Sequence, residues 1–212
     1  LVEPAAISVL DVGCGCGDTA RLLRARDPHK RVFGITSSRA EAEIARRELE
    51  ACWVADLEDE LPAAALEQQF DVLLLAHVLE HLREPQRVLK RLMRCLKPGG
   101  SCVIAVPNVM VWRQRWQFLR GRFEYQHDGV MDETHLRFFS HETAFGRLCC
   151  ETPELRLVQT RVTGSVPLWV LRRHVLPQPL AARLDAWGCA TWPNLFGAEV
   201  LLQLRKEAEP AQ

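Results

Sequence analysis

The stretch Val9-Leu10-Asp11-Val12-Gly13-Cys14-Gly15-Cys16-Gly17 decides how this 212-residue chain folds. Its apolar first half predicts a buried strand, and its three glycines predict a turn where the backbone can approach a ligand closely. A short helix pattern follows over residues 18–26, with Asp18 expected at the N-cap. A strand, glycine turn and helix in this order predict a ligand at the carboxyl edge of an α/β sheet.

Two kinds of nucleotide cofactor compete for such a turn. A dinucleotide site has the spacing Gly-x-Gly-x-x-Gly and holds its pyrophosphate over the helix N-terminus. Here the third position of that pattern is Asp18, and Asp11 precedes the turn. These carboxylates would repel a pyrophosphate, whereas S-adenosylmethionine has no phosphate and carries an ammonium and a sulfonium. The turn therefore favours S-adenosylmethionine.

Strand and helix patterns alternate through the first half of the chain. After the first strand at residues 7–12, further strands are predicted at 31–36, 52–55, 70–76 and 101–106. Helices are predicted at 38–50 and 85–96, the second ended by Lys97-Pro98-Gly99-Gly100. This alternation predicts a parallel sheet with right-handed crossovers.

The alternation ends after Pro107, but the whole chain still fits one domain over residues 1–212. We predict helices at 109–121, 141–150 and about 180–187, and an irregular aromatic-rich segment at 122–139. The predicted parts are a cofactor-binding half (1–108), acceptor-side insertions (109–150 and 163–195) and closing strands (155–162 and 199–204).

Charge and cysteine content limit the partners and the compartment. Lys plus Arg and Asp plus Glu are both 27, so the formal net charge is zero. Proteins that neutralise many phosphates usually carry a basic excess, so nucleic-acid binding is disfavoured. The eight cysteines contain no C-x-x-C pair and most lie in apolar runs. We therefore expect free thiols in a cytoplasmic protein, with neither a targeting segment nor a transmembrane segment.

Four landmarks together resemble the class I S-adenosylmethionine-dependent methyltransferases. They are the glycine motif at 11–17, Val-Ala-Asp-Leu at 54–57, the segment 70–82 that ends in His77-Val78-Leu79-Glu80-His81-Leu82, and Leu-Lys-Pro-Gly-Gly at 96–100. The resemblance covers nearly the whole chain. It implies an α/β, Rossmann-like fold: a seven-stranded, mostly parallel sheet with helices on both faces and an antiparallel last strand.

The resemblance also implies a site for S-adenosylmethionine, with S-adenosylhomocysteine as the product. In this family an acid such as Asp56 often bonds the adenine amine, and an acid ending the second strand usually holds both ribose hydroxyls. Thr36 stands at the second position, a departure that puts the cofactor affinity in question. The expected cofactor-binding residues are Asp11, Gly13, Cys14, Gly15, Gly17, Thr36, Ser37, Asp56, Leu57, Ala76 and His77.

A narrower resemblance rests on residues 106–112, 121–125 and 132–139. These segments look like a bacterial branch associated with cell-surface polysaccharide or secondary-metabolite assembly. They are also similar in part to methionine-biosynthesis methyltransferase-like proteins. This likeness indicates ancestry more than substrate.

Two histidines are the candidate catalytic bases. His135 is the first candidate, because an imidazole can take a proton from a hydroxyl during its methylation. A role in fixing its loop by bonding the backbone is at least equally favoured. His81 is the second candidate, with helix packing or capping as the alternative. Glu80, Asp132, Glu133 and His135 have ligand types that a divalent metal accepts, but their spacing is not diagnostic, and we expect no metal.

The acceptor side combines arginines with aromatic residues. Arg113, Arg115, Arg120 and Arg122 lie close to Trp112 and Trp116. One interpretation is a buried aromatic stripe with a solvated arginine face, which we favour, and the other is an anion clamp for the acceptor. The expected acceptor-binding residues are Trp112, Arg113, Trp116, Tyr125 and Arg137.

The segment 163–195 is interpreted as a lid or as the surface of a homodimer. Its candidate contact residues are Trp169, Leu171, Val175, Leu176 and Trp187.

Three functions follow from these features. The first is S-adenosylmethionine-dependent methyl transfer, by in-line displacement, to an oxygen of a small polar acceptor such as a saccharide or a secondary metabolite. The second is a non-catalytic or weakly active cofactor-binding partner of another biosynthetic enzyme, an interpretation prompted by the methionine-biosynthesis resemblance and by Thr36. The third is an RNA methyltransferase, which the zero net charge disfavours.

Overall fold

A computed structural model describes residues 2–167 and 177–207, and within them seven strands form one sheet in the order β3-β2-β1-β4-β5-β7-β6. The strands are β1 (Ser8–Val12), β2 (Arg31–Thr36), β3 (Ala51–Val54), β4 (Phe70–Ala76), β5 (Leu96–Pro107), β6 (Leu155–Gly164) and β7 (Gly197–Lys206).

Helices connect most of these strands. They are α1 (Asp18–Arg26), α2 (Arg39–Ala45), α3 (Ala63–Leu66), α4 (Pro85–Leu92), α5 (Trp112–Leu119), α6 (Ala144–Leu148), α7 (Gln178–Thr191) and α8 (Pro193–Phe196). Short 3₁₀ turns cover Leu79–His81 and Met93–Cys95.

Strand direction confirms the predicted fold class. The strands β3, β2, β1, β4 and β5 are mutually parallel, and β7 runs antiparallel to both β5 and β6. The strand order reverses between β1 and β4. In sheets of this kind, ligands bind in the crevice outside the carboxyl ends of the strands at that switch point.

Neighbouring residues of a strand point to opposite faces of the sheet, and an apolar cluster covers each face. Val9 and Val72 pack in a cluster that includes Ala20 of α1 and Ala42 of α2. Their neighbours Leu10 and Leu73 pack on the other face, in the larger cluster built from side chains of α3, α4 and α6. Burial on both faces explains the near-continuous apolar runs of the central strands.

Several predicted boundaries in the first half differ from the structure, and helix α4 ends at Leu92 rather than at Leu96. Helix α2 ends at Ala45 rather than near Glu50, because the chain bends to place Leu49 over Gly34 of β2. Strand β5 begins at Leu96, so the predicted stop at 97–100 lies inside a strand. Pairing of Leu96 with Phe70 draws this segment into the sheet, with a register shift beside it.

The predicted buried aromatic stripe on α5 is wrong. The helix spans Trp112–Leu119, and none of its residues is buried. Trp116 is 51% exposed and Leu119 79% exposed. Guanidinium groups take the place of a packing partner: Arg113 lies 5.4 Å from the ring centre of Trp112, and Arg120 lies 4.7 Å from that of Trp116.

The later elements follow the predicted order with shifted ends. Helix α6 is shorter than predicted, α7 is longer, and the closing strands β6 and β7 both extend beyond 155–162 and 199–204. Trp187 is exposed and packs edge to face on Trp192. The other expected contact residues of the 163–195 segment, Trp169, Leu171, Val175 and Leu176, lie outside the described residues.

All eight cysteines are free, and six of them are buried. Within ranges 2–167 and 177–207, none of the helices combines the length and the apolar character needed to cross a bilayer.

Candidate active site

The glycine turn after β1 is built from left-handed backbone. Gly13, Gly15 and Gly17 have φ angles of 76°, 52° and 87°. At Gly13 the close approach also requires glycine, because a Cβ there would lie 2.3 Å from a methyl group of Val78. Gly17 is the N-cap of α1, so the predicted N-cap at Asp18 is wrong by one residue. The left-handed φ of Gly17 makes Asp18 the first helical residue.

A cleft of about 740 Å³ opens beside this turn, at the carboxyl ends of β1, β2 and β4. Seven of the eleven predicted cofactor residues line it: Gly13, Gly15, Thr36, Ser37, Asp56, Leu57 and His77. The other four predicted residues do not line the cleft. Asp11 and Cys14 are buried, Gly17 caps α1, and Ala76 ends β4.

The end of β2 supplies a carboxylate from an unexpected position. Thr36 donates its hydroxyl proton to Glu41 of α2, with 2.6 Å between the oxygens, and both residues line the cleft. The spacing Ser38-x-x-Glu41 is that of a capping box, in which the acid folds back on the helix end. Ser38 does cap α2 by accepting from the Glu41 amide, but the Glu41 carboxylate turns towards Thr36. The capping-box spacing alone therefore does not reveal that the side chain of Glu41 lines the cleft.

Asp11 is the buried acid of the site. It is 2% exposed, and its Oδ2 has no hydrogen-bond partner within the described part of the chain. Burial raises the pKa of this carboxyl from 3.8 to about 7, and a hydrogen bond with Thr19 opposes the rise. A nearby cation would restore the charged form of such a group.

Three acidic side chains contribute to the polar lining of the cleft, which also includes His77 and His81. Glu41, Asp56 and Glu58 all border it, and Glu58 is fixed by the backbone amides of Arg83 and Glu84 at 2.7 and 3.1 Å. This lining disfavours a phosphate and suits a cationic ligand. Glu58 belongs to none of the sequence motifs, and only the fold brings it to the cleft.

His77 closes the end of β4 in a strained conformation. Its φ is 56°, which non-glycine residues rarely adopt. The ring lies between Glu199 of β7 (3.0 Å) and Glu80 (3.2 Å). Hydrogen bonds to Glu199 and then to Glu80 raise the pKa of His77 to about 10, against the effect of burial. An imidazolium here ties β4 to β7 at the rim of the cleft.

The two predicted catalytic histidines meet, although 54 positions separate them in the sequence. The rings of His81 and His135 lie edge to face with centres 4.7 Å apart. His81 lines the cleft beside Thr134, whose hydroxyl lies 2.9 Å from its Nδ1. His135 is buried behind it, with Nδ1 at 3.2 Å from the carbonyl oxygen of Val130.

None of the predicted acceptor residues is among those that line the cofactor cleft. Trp112, Arg113 and Trp116 line a separate cavity of about 400 Å³ together with residues 165–167. Tyr125 is exposed and packs edge to face on Phe123. Arg137 donates to the backbone carbonyl of Arg83. The structure therefore groups three of the five expected residues.

The glycine turn above a buried acid and the acid-bearing cleft at the switch point of this sheet agree with the class I S-adenosylmethionine-dependent methyltransferase superfamily. The chain belongs to the methyltransferase domain family, whose model matches residues 1–152. The cofactor of this superfamily is S-adenosylmethionine, as the sequence predicted. The narrower bacterial branch stays a prediction.

Among the relatives, trans-aconitate 2-methyltransferase from Azoarcus sp. (strain BH72) is 36% identical over 105 residues, which are 49% of this chain and 40% of that protein. Ubiquinone biosynthesis O-methyltransferase from Acinetobacter baylyi is 32% identical over 105 residues, 47% of this chain and 43% of that protein. The chain thus matches less than half the length of either relative. A SAM-dependent methyltransferase from Archaeoglobus fulgidus has the same fold, with a TM-score of 0.63, 17% identity and coverage of 95% of this chain and 87% of that one.

Proposed function

We propose that this chain transfers a methyl group from S-adenosylmethionine to an oxygen of a small polar acceptor, a saccharide or a secondary metabolite. The observation that carries the proposal is the position of His81, which lines the acid-rich cleft and has His135 behind its ring. One cleft thus combines a cation-binding lining with groups able to accept a proton.

The proposed cofactor contacts follow from the chemistry of each wall. The Thr36–Glu41 pair offers a carboxylate and a hydroxyl to the ribose. The Glu41 carboxylate would thus replace the acid that usually ends the second strand, where this chain has Thr36. Asp56 and Leu57 face the adenine. Gly13 and Gly15 leave room for the methionine end, and Asp11 beneath them provides negative charge for its ammonium group.

The proposed reaction is a direct displacement. When bound, S-adenosylmethionine supplies a methyl carbon on a sulfonium, and its transfer leaves the neutral thioether S-adenosylhomocysteine. The acceptor oxygen forms the new bond to that carbon, and its proton passes to an imidazole nitrogen of His81 or His135. The walls of the cleft align the two reactants, and alignment alone supplies a large part of the rate.

Two further observations support a small acceptor. The relatives' names refer to trans-aconitate and to an O-methylation step of ubiquinone biosynthesis, both reactions of small molecules. The cavity at Trp112, Arg113 and Trp116 offers an aromatic wall and a guanidinium, which suit a planar or anionic acceptor. The free, mostly buried cysteines are consistent with the reducing cytoplasm that we propose as the location.

Calorimetry with S-adenosylhomocysteine, followed by transfer of a radiolabelled methyl group, tests the proposal. We expect one binding site per chain, and label transfer to members of a panel of hydroxylated and carboxylated small molecules. Label transfer to RNA instead would reject the small-molecule acceptor. If the full-length natural protein binds the cofactor but transfers no label to any panel member, the result would favour the non-catalytic partner.

A further inference from the structure

Glu80, His81 and His135 form a cluster that the methyl-transfer site does not fully use. One ligand atom from each of the three side chains lies within 4.8 Å of the other two. Glu80 is fully buried, and its Oε2 has no hydrogen-bond partner among residues 2–167 and 177–207. A buried carboxylate oxygen without a partner is costly, so this oxygen calls for a cation or a hydrogen-bond donor.

Hydrogen bonds fix which nitrogen of His81 keeps a lone pair. The Thr134 hydroxyl donates its single proton to Asp132, with 2.6 Å between the oxygens. It can therefore only accept from the Nδ1 of His81, which lies 2.9 Å away. The proton of His81 is on Nδ1, and its Nε2 is left as an acceptor.

His135 is fixed in the same tautomer. Its Nδ1 donates to the carbonyl oxygen of Val130 at 3.2 Å, because a carbonyl can only accept. Its Nε2 also keeps a lone pair. Metal-binding histidines usually donate their other ring N–H to a carbonyl or carboxylate in this way, which sets the tautomer and the ring orientation.

We propose that Glu80, His81 and His135 bind a divalent first-row transition ion of the zinc type. Two imidazoles and one carboxylate suit Zn²⁺, Co²⁺, Mn²⁺ or Fe²⁺, whereas Ca²⁺ and Mg²⁺ prefer oxygen ligands throughout. Ligand atoms around tetrahedral zinc are about 3.4 Å apart, given metal–ligand bonds of about 2.1 Å. Ring and carboxylate rotations that draw the ligand atoms together by up to about 1.4 Å complete the site.

The backbone holds the three ligands in register. The amides of Leu136 and Arg137 donate to the carbonyl of Glu80, at 2.9 and 3.0 Å. These bonds clamp the loop that carries His135 onto the 3₁₀ turn that carries Glu80 and His81. The other carboxylate oxygen of Glu80 bonds His77, so Oε2 is the oxygen left for an ion.

This ligand set differs from the one weighed in the sequence, where Glu80, Asp132, Glu133 and His135 gave no diagnostic spacing. In the structure Asp132 accepts from Thr134, and Glu133 lies 3.0 Å from the exposed His127. Neither acid belongs to the cluster, and His81 takes their place.

The position of the site suggests its use. His81 and Thr134 border the cleft, and three protein ligands leave coordination positions open on that side. A hydroxyl of the acceptor bound there would lose its proton more readily, and the ion would replace the imidazoles as the activating group. This use rests on the proposed methyl transfer, whereas ion binding itself does not.

Titration of the chelator-treated, dialysed full chain with Co²⁺ tests the proposal, with visible absorption as the readout and Zn²⁺ as competitor. We expect one ion per chain without a thiolate charge-transfer band, displaced by Zn²⁺. His81→Gln and His135→Gln should each weaken binding at least tenfold. The matched control is His127→Gln, which removes a histidine from an exposed histidine–carboxylate pair and should bind Co²⁺ like the parent.

Circular dichroism of each variant checks its fold, and a Zn²⁺-dependent rise in the melting temperature of the parent provides a second readout. Absence of that rise together with absence of one-to-one Co²⁺ binding overturns the proposal. Equal binding by the parent and His81→Gln also overturns it, as does a thiolate spectrum. Calorimetry with S-adenosylhomocysteine on the same samples keeps the two proposals separate, because loss of cofactor binding would reject the function and leave the ion site standing.

Discussion

The cofactor wall, meaning the cleft residues Gly13, Thr36 and His77 at the strand ends, and helix α5 hold their side chains in place in opposite ways. The wall places Gly13, Thr36 and His77 at the ends of buried strands, so each backbone position is fixed by the sheet. Helix α5 presents Trp112 and Trp116 from a helix with no buried residue. The comparison teaches that the residues at the strand ends are fixed by the core of the fold, whereas the side chains of α5 can change without disturbing that core.

The largest effect is expected where the wall has no spare space. Gly13→Val should destabilise the protein by about 5 kcal/mol, since left-handed strain and overpacking against Val78 add together. Gly15→Ala is the matched control, because a Cβ there meets nothing within 4 Å and only strain of about 1 kcal/mol remains. Urea unfolding measures both. Equal losses would contradict the close approach at Gly13.

The buried acid of the wall gives the second prediction. The folded pKa of Asp11 is about 7 against 3.8, so its contribution to stability is complete below pH 3.8 and is lost as the pH rises towards 7. Asp11→Asn removes this pH-dependent loss of stability, because asparagine does not ionise. We expect the variant to match the parent near pH 4 and to exceed it by about 4 kcal/mol at pH 8, since the pKa is raised by about three units and each unit corresponds to about 1.4 kcal/mol.

Unfolding of the parent and Asp11→Asn at a series of pH values measures this difference. A difference that does not vary with pH would show that Asp11 is charged in the folded protein. The same substitution should weaken S-adenosylhomocysteine binding above pH 7, where the parent carries the full negative charge beneath the glycine turn.

The third prediction concerns Glu41, which reaches the wall from a helix. Glu41→Ala should weaken S-adenosylhomocysteine binding about 30-fold, because a hydrogen bond to a charged group contributes about 2 kcal/mol. Glu43→Ala is the matched control on the same helix, where the side chain pairs with Arg46 in solvent. Calorimetry should leave the control at parental affinity. Equal affinity of both variants would remove Glu41 from the ribose site.

The smallest effect on stability is expected on α5. Trp116→Ala should change the free energy of unfolding by less than about 0.5 kcal/mol, because the side chain is half exposed. The buried Phe139 provides the contrast, since Phe139→Ala should cost about 4 kcal/mol. Once an acceptor is known, Trp116→Ala should raise its KM several-fold with kcat little changed. If Trp116→Ala lowered the free energy of unfolding as much as Phe139→Ala does, the result would contradict the independence of α5 from the core.

Sequence reasoning succeeded where local pattern and burial agree. The bounds of Asp18–Arg26, Arg31–Thr36 and Phe70–Ala76 match the structure residue for residue. It missed the start of β5, because Pro98, Gly99 and Gly100 indicate only the end of a helix, whereas pairing with β4 makes this segment a strand. Tertiary contacts overrode the local signal there, and Gly100 is needed because a Cβ would lie 2.6 Å from a methyl group of Leu96.

In the site, too, features set by a local motif were predictable and features set by tertiary contacts were not. The glycine turn and the end of β2 were predictable, because a motif specifies both the backbone shape and its place in the sheet. The Thr36–Glu41 bond was not, since it depends on which way one side chain leaves a capped helix. The meeting of His81 with His135 depends on the path of the irregular segment 122–139, for which periodicity gives no information.

The antiparallel strand β7 has a consequence for how the chain acquires its structure during synthesis. Strand β5 is complete at Pro107, yet its partner on one side is β7, from Ser101 with Arg205 to Pro107 with Glu199. The ribosome must therefore add the residues up to 206 before that edge of β5 is covered. Until then a long apolar strand exposes unpaired backbone amides and carbonyls, which are a template for association with other chains. The nascent protein is thus most vulnerable to aggregation after its cofactor half has formed and before its last strand emerges.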